Sequence, residues 1–298
     1  YGYKIEKKEQ PHLFDLIEKL SKKIKSIQPD NIILGTTEGF FVTSHDIRLF
    51  NLDGGFKEIK GNTLYIPLVY LNILTKDELK GILGHELAHF SGEDTKYSIK
   101  FNPVIEDLRK KLFLIQDSSV EAEKEFSSSG IAGNIARPIR KFFIIMFLNP
   151  IVFIFVNLLL KDKKISIQQE IRADKIGASV CKNKKSFITG LCKYCIFSLL
   201  ANDIMFKKNK NKFKSFTREF DKKFEKYLLG FNPKKHLKML IEYEMYHPSD
   251  THPPIKIRAK KLNIDIKNIQ KKDLIKTFPS AADLIKNYKE LDSNLSGN

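Results

Sequence analysis

The sequence predicts an α+β protein, mostly helical, with a small antiparallel sheet near its N-terminus. Three observations predict it. Short runs of β-forming residues gather between positions 32 and 68. Helical periodicity dominates from position 75 onward. One of those helices contains His85-Glu86-Leu87-Ala88-His89. With 298 residues, 42% hydrophobic and 29% charged, the chain can bury a core, which excludes disorder and collagen-like structure.

Leu13, Leu16, Ile17, Leu20, Ile24 and Ile27 recur at helical spacing, so residues 1–29 read as an N-terminal amphipathic helix ended by Pro29-Asp30-Asn31. Residues 30–298 read as a second region. Ile32-Ile33-Leu34, Phe40-Phe41-Val42-Thr43, Ile47-Arg48-Leu49-Phe50 and Thr63-Leu64-Tyr65-Ile66 are the strands, and Asp53-Gly54-Gly55 suits a hairpin turn.

Thr75-Lys76-Asp77-Glu78 carries the capping-box pattern and opens a helix through about Phe90, with Gly92 as its stop. Residues 104–126 are amphipathic, and residues 127–130 (SSSG) read as a turn. Residues 142–160 hold nineteen positions without a charge and interrupt the second region, with Asn149-Pro150 near their middle. That length approaches the roughly 20 residues of a membrane span. Basic residues flank both ends (Arg137, Arg140, Lys141; Lys161, Lys163, Lys164), which suits a shallow hairpin at a cytoplasmic membrane face. A helix pair packed on the protein fits equally, and a fully buried core helix is the alternative. Ser166 is read as the cap of a further helix, and the remainder as helices and loops.

Lys plus Arg exceed Asp plus Glu by 52 to 35, a net charge of +17 that favours anionic partners. Three cysteines are too few for a disulfide framework, and Cys192 and Cys195 lie in an apolar helical stretch as a structural pair. The basic run 206–214 lacks any nucleic-acid motif and reads as a solvated or membrane-facing loop, so no nucleic acid is expected. The chain starts at Tyr1 with no signal segment, which reads as a processed or partial chain.

The chemistry lies in His85-Glu86-Leu87-Ala88-His89. Residues i and i+4 share a helix face, so both imidazoles can reach one metal ion while Glu86 serves an attacking water. A catalytic zinc site wants three protein ligands and an open position. None of the seven histidines follows at a short spacing, so a carboxylate is the expected third ligand. Glu170 and Asp174 share a face of one helix, and small Ala173, Gly177 and Ala178 allow a close helix approach. One of the two can bind metal while the other accepts a histidine N–H. His45, His236 and His247 read as surface or packed residues.

GHELAHFSGEDT, EIRADKIGAS and THPPIKIRA, in that order, resemble the gluzincin family of HtpX-like and CAAX-prenyl-protease-like zinc proteases, metallopeptidase family forty-eight, over roughly residues 30–265. The resemblance implies a zincin-like fold and a zinc metalloendopeptidase with one zinc per chain held by His85, His89 and Glu170. It implies Glu86 as catalytic base and Asp174 as the carboxylate orienting a ligand histidine. It implies that His252 and Arg258 face the scissile carbonyl; both are types that can donate to an oxyanion. The expected partners are a polypeptide substrate and membrane lipid. Family members commonly carry several transmembrane helices, and this chain shows one candidate segment. A rival from another class is a basic membrane- or nucleic-acid-binding protein with a structural zinc; Glu86 beside an open position argues against it.

Overall fold

The computed structural model describes residues 2–91 apart from 36–38 and 51–54, scattered positions in 94–146, then 149–208, a few positions in 218–230, 252–274 and 279–296. The expected turn at Asp53-Gly54, the stop at Gly92, the turn at 127–130, most of the basic run 206–214, His236 and His247 lie outside the described residues. The chain forms two compact units, Tyr1–Thr95 with Gln169–Asn298, and Lys96–Gln168.

In the first unit, β1 (Gly2–Ile5), β2 (Asn31–Gly35), β3 (Phe41–Thr43) and β6 (Thr63–Pro67) form one sheet in the order β1-β2-β6-β3. The antiparallel expectation is corrected here: the sheet is mixed, because β2 and β6 pair in parallel from Asn31 opposite Thr63 to Gly35 opposite Pro67. These two central strands are buried at every position, as parallel strands covered on both faces are. β1 and β3 pair antiparallel on the outer sides. β4 (Ile47–Phe50) and β5 (Phe56–Ile59) form a separate antiparallel ribbon. Leu49 and Ile59 of that ribbon pack with Ile33 and Tyr65.

Helix α1 (Pro11–Ile24) starts at a proline, as a first turn allows, and ends where Lys25 turns left-handed at φ 56°. It buries Leu13, Ile17 and Leu20 and packs on α3 (Lys76–Ser91). The N-terminal region is therefore a strand followed by a shorter helix, and β1 is an addition to the expected pattern. After the short α2 (Leu68–Leu71), the capping box opens α3 as expected. The Thr75 N–H donates to Glu78 Oε2 at 2.8 Å, and the Glu78 N–H donates to Thr75 Oγ1 at 3.1 Å. Glu78 also accepts from Lys193 Nζ at 2.8 Å and Thr189 Oγ1 at 2.8 Å, both on α5 (Lys184–Lys208). Lys193 is fully buried, and its charge is compensated by that carboxylate and by the Ile73 carbonyl. This network fixes α3 against α5.

Helix α4 (Asn149–Val180) runs unbroken through Ser166, so the expected cap there is corrected. The preceding Leu-Lys-Asp-Lys-Lys run holds no breaker, and a hydroxyl alone does not stop a helix that good formers carry through. Helices α6 (Ile255–Lys261), α7 (Lys271–Leu274) and α8 (Tyr288–Ser296) follow, with 3₁₀ turns at Ile266–Asn268 and Ala281–Leu284.

In the second unit Tyr97 stacks on Phe101 with centroids 4.5 Å apart and donates to Asp162 at 2.9 Å. Ile151, Phe153, Ile154, Val156, Leu158 and Leu160 are all exposed there. No helix among the described residues is long and apolar enough to cross a membrane.

Candidate active site

Helix α3 presents His85 and His89 one turn apart, and glycine lets a second helix come close. A Cβ on Gly177 of α4 would lie 2.6 Å from the Gly81 carbonyl oxygen and 3.1 Å from the His85 Cβ. No larger residue fits between the helices there. The close approach brings Glu170 and Asp174, i and i+4 on α4, over the two imidazoles.

Asp174 Oδ1 lies 2.9 Å from His85 Nδ1, so that nitrogen carries the proton and Nε2 keeps its lone pair. Asp94 Oδ2 lies 3.1 Å from His89 Nδ1 with the same consequence. The two free Nε2 atoms are 3.4 Å apart. Glu170 closes the group, with Oε2 3.5 Å from His85 Nε2 and Oε1 3.4 Å from His89 Nε2. Ligand atoms of His85, His89 and Glu170 all lie within 4.8 Å of one another. Three electron-pair donors thus converge in a buried place, an arrangement that repels itself unless a cation sits among them. Two imidazoles and one carboxylate are a donor set suited to zinc.

His252 is half-exposed and its Nδ1 donates to Glu170 Oε2 at 2.6 Å. Arg258 is buried and gives its Nε and one terminal nitrogen to Asp174; that nitrogen is also 3.4 Å from His85 Nδ1. The structure therefore places these two residues on the carboxylates of α4. Phe187 lies under the group, its ring 6.0 Å from that of His85 and 5.9 Å from the Arg258 guanidinium carbon.

The electrostatics separate the carboxylates. Burial pushes the Glu86 carboxyl up, and the nearby imidazoles of His85, His89 and His252 only partly oppose it. Burial acts the same way on Glu170, but the His252 hydrogen bond and the surrounding imidazoles outweigh it and bring that carboxyl down to about 2. Asp174 also reaches about 2, because bonds from His85 and Arg258 overcome its burial. Burial disfavours protonated His89, yet the Asp94 hydrogen bond and the Glu86 and Glu170 charges raise its pKa. One carboxyl is thus held basic while its two neighbours stay firmly ionised, the pattern expected of a proton acceptor beside a ligand.

The sequence profile of peptidase family M48 matches residues 58–265. The chain belongs to peptidase family M48. The matched span holds all of α3, Glu170, Asp174, His252 and Arg258. No curated protein and no solved structure matches the chain. As an M48 peptidase it is a metal-dependent hydrolase of polypeptides, and its His85, His89 and Glu170 form a group able to hold the metal.

Sequence reasoning named seven site residues and missed Asp94, Arg172 and Phe187. Asp94 stands five positions beyond His89 inside the quoted GHELAHFSGEDT motif, and Arg172 stands between Glu170 and Asp174. Their motifs were the available signal.

Proposed function

We propose that this M48 peptidase is a zinc-dependent endopeptidase of zincin-like fold acting on polypeptides at a membrane surface. The observation that carries the reading is the convergence of two imidazole Nε2 atoms and the Glu170 carboxylate. His85, His89 and Glu170 hold one zinc. When bound, it supplies Lewis acidity to the scissile carbonyl and acidifies a water. Glu86, buried and with its basicity raised, takes the proton of the attacking water and passes it to the leaving amine. His252 keeps Glu170 oriented through its Nδ1–H, and as imidazolium it has an Nε2–H left to donate to the developing oxyanion. Arg258 fixes Asp174, which fixes the His85 tautomer.

Strand β3 lies at the sheet edge and packs near α3. An extended substrate pairing there would run past the site as an added strand. Residues 151–160 of α4 carry exposed apolar side chains, Phe153 and Ile154 among them. Lys161 and Lys164 are exposed just beyond. This supports shallow docking of that stretch of α4 on an anionic, cytoplasmic leaflet.

The test is Glu86→Gln. The amide preserves shape but accepts no proton, so zinc content stays at the wild-type level while cleavage of an unfolded protein falls to background. Undiminished turnover removes Glu86 from the role of base.

A further inference from the structure

His85 is braced by a buried relay, Arg258 to Asp174 to His85. A second relay of the same chemistry reaches the other imidazole, His89. Asp94 Oδ2 lies 3.1 Å from His89 Nδ1, and Arg172 Nη2 bonds that same oxygen. Asp94 is buried, with a relative exposure of 5%. A buried carboxylate is costly without partners, and its partners here are the second histidine of the motif and one guanidinium.

Arg172 makes a further contact. Its Nη2 reaches the Ala88 carbonyl of α3 at 3.5 Å. Arg172 lies two residues from both Glu170 and Asp174, so a single stretch of α4 supplies the third ligand, the carboxylate for His85 and the clamp on the carboxylate for His89.

We infer that Asp94, clamped by Arg172, is a positioning residue that fixes the His89 ring and sets how tightly the chain holds its metal. The inference rests on the metal centre proposed above. Asp94 acts by keeping the proton on Nδ1, so that Nε2 stays turned toward His85 Nε2 and Glu170. Without it the ring can rotate, and the Nε2 lone pair is no longer held in the group. The Arg172 side chain is 40% exposed, whereas that of Arg258 is 7% exposed. The Arg172 clamp is accordingly the weaker of the two.

The experiment is a zinc titration of the full chain at pH 8 against a chelating dye, with zinc release into excess chelator followed in parallel. Asp94→Asn, Asp94→Ala and Arg172→Gln are compared with wild type, and thermal unfolding of the metal-free proteins reports their fold. Loss of such a partner of a ligand histidine typically costs about 10–100-fold in metal affinity. Asp94→Ala should show a loss in that range with faster release, and Arg172→Gln a smaller loss in the same direction. Wild-type affinity and release in the folded Asp94 variants overturn the inference. So does a fall in metal-free stability that leaves the affinity of the folded protein unchanged, since that marks a purely structural role. If the Asp94 variants do not fold, Arg172→Gln decides: looser zinc supports the brace and wild-type affinity overturns it. A wild-type chain that binds no zinc overturns the metal centre itself, and the brace with it.

Discussion

Arg258 grips Asp174 through a two-pronged ion pair, Nε 2.9 Å from Oδ2 and Nη2 2.5 Å from Oδ1, directly behind His85. Both side chains are buried. A pair of this kind is expensive to break from one side, because the remaining charge stays buried and alone.

Arg258→Ala should therefore destabilise the metal-free chain by about 3–5 kcal/mol, read as a lower denaturation midpoint. His252→Ala should behave differently. Its ring is half-exposed, so stability changes little, while kcat falls by about 10²-fold, as for a lost oxyanion donor. Wild-type stability in the first variant, or wild-type kcat in the second, contradicts these assignments.

The Asp174 carboxyl makes a prediction about pH. Its folded pKa of about 2 lies below the ordinary 3.8. A lowered carboxyl pKa contributes stability that is present above the unfolded value and is lost as pH falls through the folded one. The difference corresponds to about 2 kcal/mol. The stability gap between wild type and Asp174→Asn should be level above pH 5 and narrow by roughly that amount between pH 4 and 2. A gap that widens on acidification contradicts the ion pair.

Much of this was legible because it is local. The capping box, the His85 and His89 pair and the shared face of Glu170 and Asp174 all follow from helical spacing within one segment. The parallel pairing of β2 with β6 was not legible, since partners such as Asn31 and Thr63 lie far apart in the chain and nothing in the composition of the strands fixes direction. β1 was hidden in four residues containing Gly and Lys, a strand only because β2 offers it an edge. Arg258 was recognisable by motif, but tertiary packing decides that its guanidinium faces Asp174. The buried Lys193 on Glu78 was hidden for the same reason, as one more lysine in a basic sequence.

The exposed apolar stretch 151–160 of α4 should bind membranes. The full chain is expected to sediment with vesicles containing anionic phosphatidylserine and to stay in solution with neutral vesicles at high salt. Phe153 and Ile154 are among the most exposed apolar side chains. Changing both to Asp should lower partitioning at least about tenfold, given about 1.5–3 kcal/mol for each large apolar side chain buried. Equal sedimentation of the double variant contradicts docking through this stretch.

The central claim is that His85, His89 and Glu170 hold a catalytic zinc. Its most direct test is metal analysis of the purified chain and of Glu170→Ala, with casein cleavage measured before and after chelation. The account predicts one zinc per wild-type chain, cleavage abolished by the chelator and restored by zinc, and neither metal nor cleavage in Glu170→Ala. Full zinc occupancy in Glu170→Ala, or wild-type cleavage by metal-free protein, would contradict it.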